Sequence, residues 1–334
     1  MIFLKEKRTN EEILIGLCRQ LPEFAVDFLL TRDQERTSGT RVGYARDFLV
    51  FLEYLCGELP EKIETKDITP EHMGQVTPQD IDIFLSKYAK THKPRVVSHM
   101  KTSISAFYTY LCYTMRQVEN NPCEGAQKIK IPQKDYVIYL TEEEQEKLLA
   151  TIEGGVGLTE KQRVYHKFLK KRDIAIIFLF LDTGLRVSEL CSLKIRNLDI
   201  RSHSLNVVRK RGKESQIFYS DQAGEYIMEY LHERKTCRPH TYTPDSPLFL
   251  TLQNTPISLR EVQSMVPKYV QAALPEKMQK ISPHKLRSTF AMSFYAATHD
   301  ILTLQARMGH ESLTTTNIYV KAAKENIRNS RNWR

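Results

Sequence analysis

"DIAIIFLFLDTGLRVSELCSL", residues 173–193, holds an unbroken apolar run from Ile174 to Leu181, then Thr183-Gly184, then a second stretch with apolar residues at helical spacing. A run this short falls well below the roughly 20 residues a membrane span needs, so it reads as a buried helix, a glycine turn and a second helix. Downstream lies the only good strand material. "SLNVVRK" (204–210), "RGKES" (211–215) and "QIFYS" (216–220) read as strand, tight turn with Gly212, and strand. Helical signals then return in "SLREVQSMVPKYVQAAL" (258–274), in "SPHKLRSTFAMSFY" (282–295) behind Pro283, and in a Thr-rich stretch near the end. This part of the chain is expected to be mainly α with a small antiparallel β-hairpin or sheet.

Upstream, Thr141 and Glu144 of "TEEEQEKLL" have capping-box spacing. Before them, "QKIKIPQKDYVIY" (127–139) loses the helical period and mixes basic residues with a proline, as an extended linker does. A domain boundary is expected near residue 133, giving domains 1–133 and 134–334. The first holds four amphipathic segments. In residues 10–30, Ile13, Leu17, Leu21, Phe24 and Phe28 share helical spacing, with Pro22 set to kink or divide the segment. Residues 37–58 put Tyr44, Phe48, Phe51, Leu52 and Leu55 on one stripe, Thr77-Pro78 opens a third helix, and residues 93–115 offer Val97, Met100, Ile104, Phe107 and Leu111 to a core. No convincing strand intervenes, so the N-terminal domain is expected to be α-helical.

The chain has 334 residues, 41% of them apolar, enough for two domains with a core each. It carries 49 Lys and Arg against 40 Asp and Glu, a net charge of +9 that suits a polyanionic partner without identifying one. Its six cysteines show no C-x-x-C pair or zinc-ligand spacing and are expected to be free, mostly buried thiols in a reducing compartment. With no membrane-length apolar run and an N-terminus that turns charged after four residues, a cytoplasmic location with no membrane partner is the expectation. Basic or polar positions on the N-terminal helices, Arg36, Arg41, Arg46, Lys93, Arg95, His99 and Lys101, would singly pass for a solvated face. As a group they could line a phosphate backbone.

His284-x-x-Arg287 alone is weak, since residues three apart are neighbours on any helix. Three further stretches add weight: "TGLRVSEL" with Arg186, "VVRKRGKES" with Lys210, and "LQARMGHESLTTTNIYVK" with His310 and, nine residues later, Tyr319. As a set, Arg186, Lys210, His284, Arg287, His310 and Tyr319 resemble the active site of the tyrosine recombinase (integrase) family, and "MGHESLTTTNIYV" looks especially Xer-like. The first 30 residues are loosely similar to the single-protein, XerS-type branch.

The resemblance implies a helical core-binding (SAM-like) domain followed by the mainly α catalytic fold with its small antiparallel sheet. It implies a site-specific recombinase whose partners are a double-stranded DNA recombination site and copies of itself, assembled as a tetramer on DNA and clamping the duplex. Tyr319 would be the nucleophile and Arg186 and Arg287 the phosphate clamp, with His284 and His310 assisting, Lys210 as general acid and Glu189 in support. No acidic cluster reads as a Mg²⁺ site, and the family works with neither metal nor energy cofactor. Two arginine forks suit non-bridging phosphate oxygens, whose charge grows in the transition state. A phenol with an ordinary pKa of about 10 needs such cations to become a nucleophile.

Each residue also has a bland reading: Arg186 with Glu189 as a helix salt bridge, Lys210 as a solvated turn residue, Tyr319 as a core filler. Lys213 competes with Lys210 for the hairpin role. Ser288 departs from the family pattern, in which a further histidine often follows the arginine, and "KRGKES" departs from the usual "KGNKER". A type IB topoisomerase or a non-catalytic DNA-binding regulator are the competing functions. The DNA target, and whether the role is chromosome-dimer resolution, mobile-element integration or inversion, are open at this level. In the tail "KAAKENIRNSRNWR" (321–334), Ala322, Ala323 and Ile327 lie near one stripe and Trp333 stands near the end, an arrangement that would suit docking on a neighbouring protomer.

Overall fold

Caps and prolines cut the N-terminal chain into short helices. The computed structural model describes residues 9–31, 37–59, 62–132, 137–209, 212–309 and 313–330, with side chains in the last stretch for 316–324. The chain divides into two units, Met1–Gln133 and Lys134–Arg334. In the first, α1 (Asn10–Cys18) is opened by a Thr9–Glu12 capping box. Pro22 then sits in extended backbone as the N-cap of α2 (Glu23–Leu30), so it divides the segment. That break changes which residues face inward: Leu14 is buried, whereas Ile13 and Leu17 are only half-buried, and Phe24 and Phe28 are buried as their spacing predicts.

The unit continues with α3 (Ser38–Glu58), α4 (Pro70–Gly74), α5 (Pro78–Ala89), α6 (Pro94–Tyr110) and α7 (Pro122–Gly125). Thr77 caps α5 reciprocally with Asp80, and Pro78 takes the first turn, where its missing N–H has no intrahelical partner to lose. The core is aromatic: the ring of Phe48 lies 4.3 Å from that of Phe107 and 5.2 Å from that of Phe28. Burying each of these side chains stabilises the unit by roughly 1.5–3 kcal/mol.

In the second unit α8 (Glu142–Gly154) starts with the Thr141–Glu144 box, Thr141 N donating to Glu144 Oε2 at 2.8 Å. Helix α9 (Glu160–Thr183) begins well ahead of the apolar run because Thr159 and Gln162 cap it reciprocally. Its C-terminal half is enclosed, with Ile176, Ile177, Leu179 and Phe180 fully buried. It stops at Gly184, whose φ of +63° is open to glycine and where a Cβ would strike the Phe290 ring. Just ahead of the run, Asp173 is completely buried. Its oxygens accept from Arg172 at 2.6 Å, Tyr269 at 2.8 Å and Lys268 at 3.2 Å.

After α10 (Val187–Ser192) come β1 (Leu198–Asp199), β2 (Ser204–Val208) and β3 (Glu214–Phe218), an antiparallel sheet in the order β1-β2-β3. The β2–β3 hairpin is the one expected, with Leu205 opposite Ile217 and Leu205, Val207 and Ile217 on the buried face. The unit is completed by α11 (Asp221–Cys237), α12 (Leu259–Ala273), α13 (Pro283–Thr298), α14 (Ile301–Met308) and α15 (Leu313–Ser330). Phe290, Met292, Leu304, Met308, Tyr319 and Ala322 form a small core of their own among the last three helices. Ala323 is half-buried against it; the side chain of Ile327 and the whole of Trp333 lie outside the described residues.

The cysteines are free, but only Cys123 is buried; Cys237 is exposed and the other four are half-buried, a correction to the buried set expected. Among the described residues no helix is long and apolar enough to cross a membrane.

Candidate active site

The glycine turn after α9 delivers Arg186 to the N-cap of α10, in extended backbone. Glu189, one turn on and 4% exposed, holds it twice: Oε2 accepts from the Arg186 backbone N–H at 2.8 Å and Oε1 from Nη1 at 2.7 Å. Salt bridge and support are thus one arrangement, a buried carboxylate that orients a guanidinium by charge-assisted bonds. Arg186 Nη2 donates to Gly309 O at 2.9 Å, and the side chain stays about a third open to solvent, 37%. Of its five N–H donors, these bonds occupy two.

Arg287 projects from the first half of α13 and is 4% exposed. Its Nη1 donates to Gly184 O and its Nη2 to Met308 O. Burial, and then the Arg186 charge, push its pKa down to about 10, opposed by Glu189 and Tyr319, so it stays ionised at neutral pH. Burial followed by the charges of Lys285, Arg287 and Arg186 holds His284, one turn earlier, below its usual range. At neutral pH it is therefore an uncharged imidazole able to accept a proton.

Tyr319, on α15, is 3% exposed. Burial raises its pKa, while a side-chain hydrogen bond with Ser288 and the Arg287 charge oppose the rise. Ser288, at the position that departs from the family pattern, therefore meets the phenol directly; its Oγ also donates to His284 O at 3.2 Å. The arrangement joins a phenol to a buried cation, beside a half-open second cation and a neutral imidazole. It can bind a phosphodiester and stabilise the charge that develops when an oxygen nucleophile attacks it.

The structure adds a residue the sequence reading passed over. Arg209, at the end of β2, donates from Nη1 to Ala306 O at 3.2 Å and from Nη2 to Arg307 O at 2.9 Å. Burial lowers its pKa, with the Glu189 charge opposing and the Arg186 charge adding to the shift, which places it beside the same pair. Its sequence signal was present, since "VVRKRGKES" shows three cations in a row, but nothing local says which of them turns inward.

Arg186, Glu189, Arg287 and Tyr319 are thus brought together, with His284 alongside. Lys210 and His310 lie outside the described residues. Lys213, the alternative hairpin lysine, is exposed, and its carbonyl accepts from Arg209 N at 2.8 Å. In the first unit Arg46, Lys93, Arg95 and His99 are exposed, His99 bonding Asp47 at 3.1 Å; Arg36 lies outside the described residues. Two candidates are corrected. Arg41 is buried and paired with Glu11 at 2.9 Å, and Lys101 donates to Ala126 O at 2.8 Å and Gln127 O at 2.9 Å, so both cations are engaged by the fold itself. Among the described residues no group of three or more His, Cys, Asp or Glu side chains is placed to hold a metal ion.

A sequence model of the phage integrase family matches residues 139–326. The tyrosine recombinase XerC of Caldanaerobacter subterraneus subsp. tengcongensis is 31% identical over 309 residues, covering 89% of this chain and 82% of the relative. That of Thermodesulfovibrio yellowstonii is 31% identical over 286 residues, covering 85% of each. Among solved structures, XerH recombinase bound to its difH substrate superposes with a TM-score of 0.62 at 19% identity, over 95% of this chain and 93% of that one. The Tn1549 transposon integrase in complex with circular intermediate DNA gives 0.64 at 20%, over 93% and 98%. With the family pattern spanning more than half of its length and XerC relatives aligned over most of the rest, the chain belongs to the phage integrase family, as a Xer-like tyrosine recombinase.

Proposed function

We propose that this chain is a site-specific recombinase that cuts and rejoins DNA through a 3′-phosphotyrosine at Tyr319. The observation that carries the assignment of roles is the buried Arg287, close enough to both Arg186 and Tyr319 for each to act on its charge. Arg186 and Arg287 hold the non-bridging oxygens of the scissile phosphate, with Glu189 fixing the first of them. The Tyr319 oxygen attacks phosphorus, the bond to the 5′-oxygen breaks, and a hairpin lysine, Lys210 or Lys213, gives the leaving oxygen its proton. His284 accepts the phenolic proton or shares it through the phosphate, and His310 completes the set. The new phosphotyrosine bond conserves the energy of the one broken, so rejoining is the same reaction in reverse with a 5′-hydroxyl from another strand.

Duplex DNA as the partner is supported by the net charge of +9 and by the neighbours solved on DNA. In this reading residues 1–133 are the core-binding domain, where exposed Arg46, Lys93 and Arg95 meet backbone phosphates, and residues 134–334 the catalytic domain. Exchange between two duplexes breaks four strands, and one tyrosine per chain then requires a tetramer on DNA.

The test is a nicked duplex carrying a binding site selected from a random-sequence pool. Cleavage beside the nick releases a short fragment and traps the covalent complex. Tyr319→Phe is expected to bind this DNA as tightly as the parent and to form no adduct on denaturing gels. An adduct at the parental level would move the nucleophile to another residue.

A further inference from the structure

Four consecutive carbonyls at the end of α14, those of Ala306, Arg307, Met308 and Gly309, are each taken by an arginine from elsewhere in the unit. The last carbonyls of a helix largely lack intrahelical partners and carry the negative end of its dipole, so guanidiniums are well suited to them; of these four, Ala306 O also accepts from Gly309 N at 3.1 Å. Arg287 and Arg186 hold Met308 and Gly309. The other two carbonyls belong to Arg209, which sits where β2 gives way to the hairpin turn, and the turn closes on the same residue. Arg209 N donates to Lys213 O at 2.8 Å and Gly212 N to Arg209 O at 3.2 Å. The space for its guanidinium exists because Gly309, at φ +59°, has no side chain; a Cβ there would overlap it. Without such an anchor the turn ends the part of the hairpin beyond β1, which pairs only with Ser204 and Leu205, and a two-stranded ribbon by itself is only marginally stable.

We infer that Arg209 is a positioning residue for DNA cleavage, latching the β2–β3 hairpin to the C-terminal end of α14 so that the hairpin lysine is held over the leaving group. Lys213 is bonded to the Arg209 backbone and Lys210 follows Arg209 directly in the chain, so the latch bears on whichever of the two acts; the inference rests on the reading of one of them as the proton donor. The latch also joins the hairpin to the segment that the two phosphate-binding arginines grip, so binding groups and proton donor are referenced to one helix end.

The experiment compares Arg209→Ala, Arg209→Lys, Lys210→Ala and Lys213→Ala on the nicked duplex, once with an ordinary scissile phosphate and once with sulfur as the 5′-bridging atom. A thiolate leaves unprotonated when its bond to phosphorus breaks, so only defects in proton donation are relieved. Misplacing a catalytic group by about 1 Å can slow a reaction roughly 100-fold. Arg209→Ala is expected to lose about that much on the oxygen substrate and to recover to near the parental rate on sulfur, with Arg209→Lys between the two because an ammonium lacks the fork. Where a lysine variant is rescued, an equal loss on both substrates, or no loss, in Arg209→Ala overturns the inference. If neither lysine variant is rescued, the proton-donor reading fails by itself, and the latch is judged by hydrogen exchange. Faster exchange confined to residues 204–218 and 301–309 in Arg209→Ala supports it, and an unchanged pattern overturns it.

Discussion

Arg234 and Arg287 are two equally buried arginines of the second unit, 3% and 4% exposed, and the described hydrogen bonds of both end mainly on backbone carbonyls. Arg234 uses all three nitrogens: Nε on Thr241 Oγ1 at 3.1 Å, Nη1 on Pro247 O at 2.6 Å and Leu248 O at 3.0 Å, and Nη2 on Thr241 O. It knits the loop after α11 and is consumed by it. Arg287 instead stands among other cations, with Arg186 and Arg209 near it and Glu189 as the one carboxylate among the described residues whose charge reaches it. Like charges gathered in a partly desolvated corner repel one another, and the fold holds them there with carbonyl dipoles and a single carboxylate. At Arg234 the guanidinium serves one loop; at Arg287 two further guanidiniums, a carboxylate and the Tyr319 phenol lie within electrostatic reach.

The sharpest test of that difference exchanges the two readouts. Arg287→Ala should slow covalent-adduct formation about 1,000-fold, the upper part of the range for removing a group that stabilises transition-state charge. Arg234→Ala should leave the cleavage rate of the folded protein near parental but strand several buried acceptors, at about 1–3 kcal/mol each. That lowers the Tm by roughly 5 °C or more. Single-turnover cleavage and thermal melts on the same preparations decide it; a cleavage defect in Arg234→Ala as deep as that of Arg287→Ala would break the comparison.

A smaller effect is expected from Glu189→Gln. The carboxamide oxygen can keep one of the two bonds to Arg186 but supplies no negative charge. Cleavage should fall about tenfold, corresponding to about 1.4 kcal/mol. DNA binding in a gel shift should hold or tighten, because the site gains net positive charge. Weakened binding would mean that Glu189 acts on the fold alone.

The smallest effect is a pH profile. His284 titrates below its ordinary 6.5, so the ring is neutral at pH 7 and becomes charged only as the pH falls through that lower value. If neutral imidazole accepts the proton, cleavage falls on an acid limb lying below pH 6.5, and His284→Gln flattens that limb at a lower plateau. An acid limb unchanged in the variant would assign it to another group.

Much of the fold is legible where the physics is local. The Thr77 and Thr141 caps satisfy orphan N–H groups within one turn, Pro22 lacks the N–H a continuous helix would need, and alternation in 204–218 selects the buried face of the hairpin. The start of α9 is equally local, in Thr159 and Gln162, although the apolar run begins only at Ile174. Of the cluster that folding brings together, Arg186, Glu189, His284, Arg287 and Tyr319 can be singled out by type and spacing, through the family resemblance those residues carry. Arg41, Lys101 and Arg209 were misjudged or missed for one reason. Their partners lie far along the chain: Glu11 is 30 residues from Arg41, Ala126 is 25 from Lys101 and Ala306 is 97 from Arg209.

The sequence by itself determined the element types, their caps and the inventory of reactive groups, since each depends on a residue and its near neighbours. Only the tertiary structure decided which cations are spent and which remain. A guanidinium's charge is a property of the residue, but its availability depends on the carbonyls, carboxylates and other cations that folding brings within hydrogen-bond reach. In Arg41 and Arg234 folding engages the charge in internal bonds; at Arg186, Arg209 and Arg287 it gathers three around one carboxylate and the end of α14.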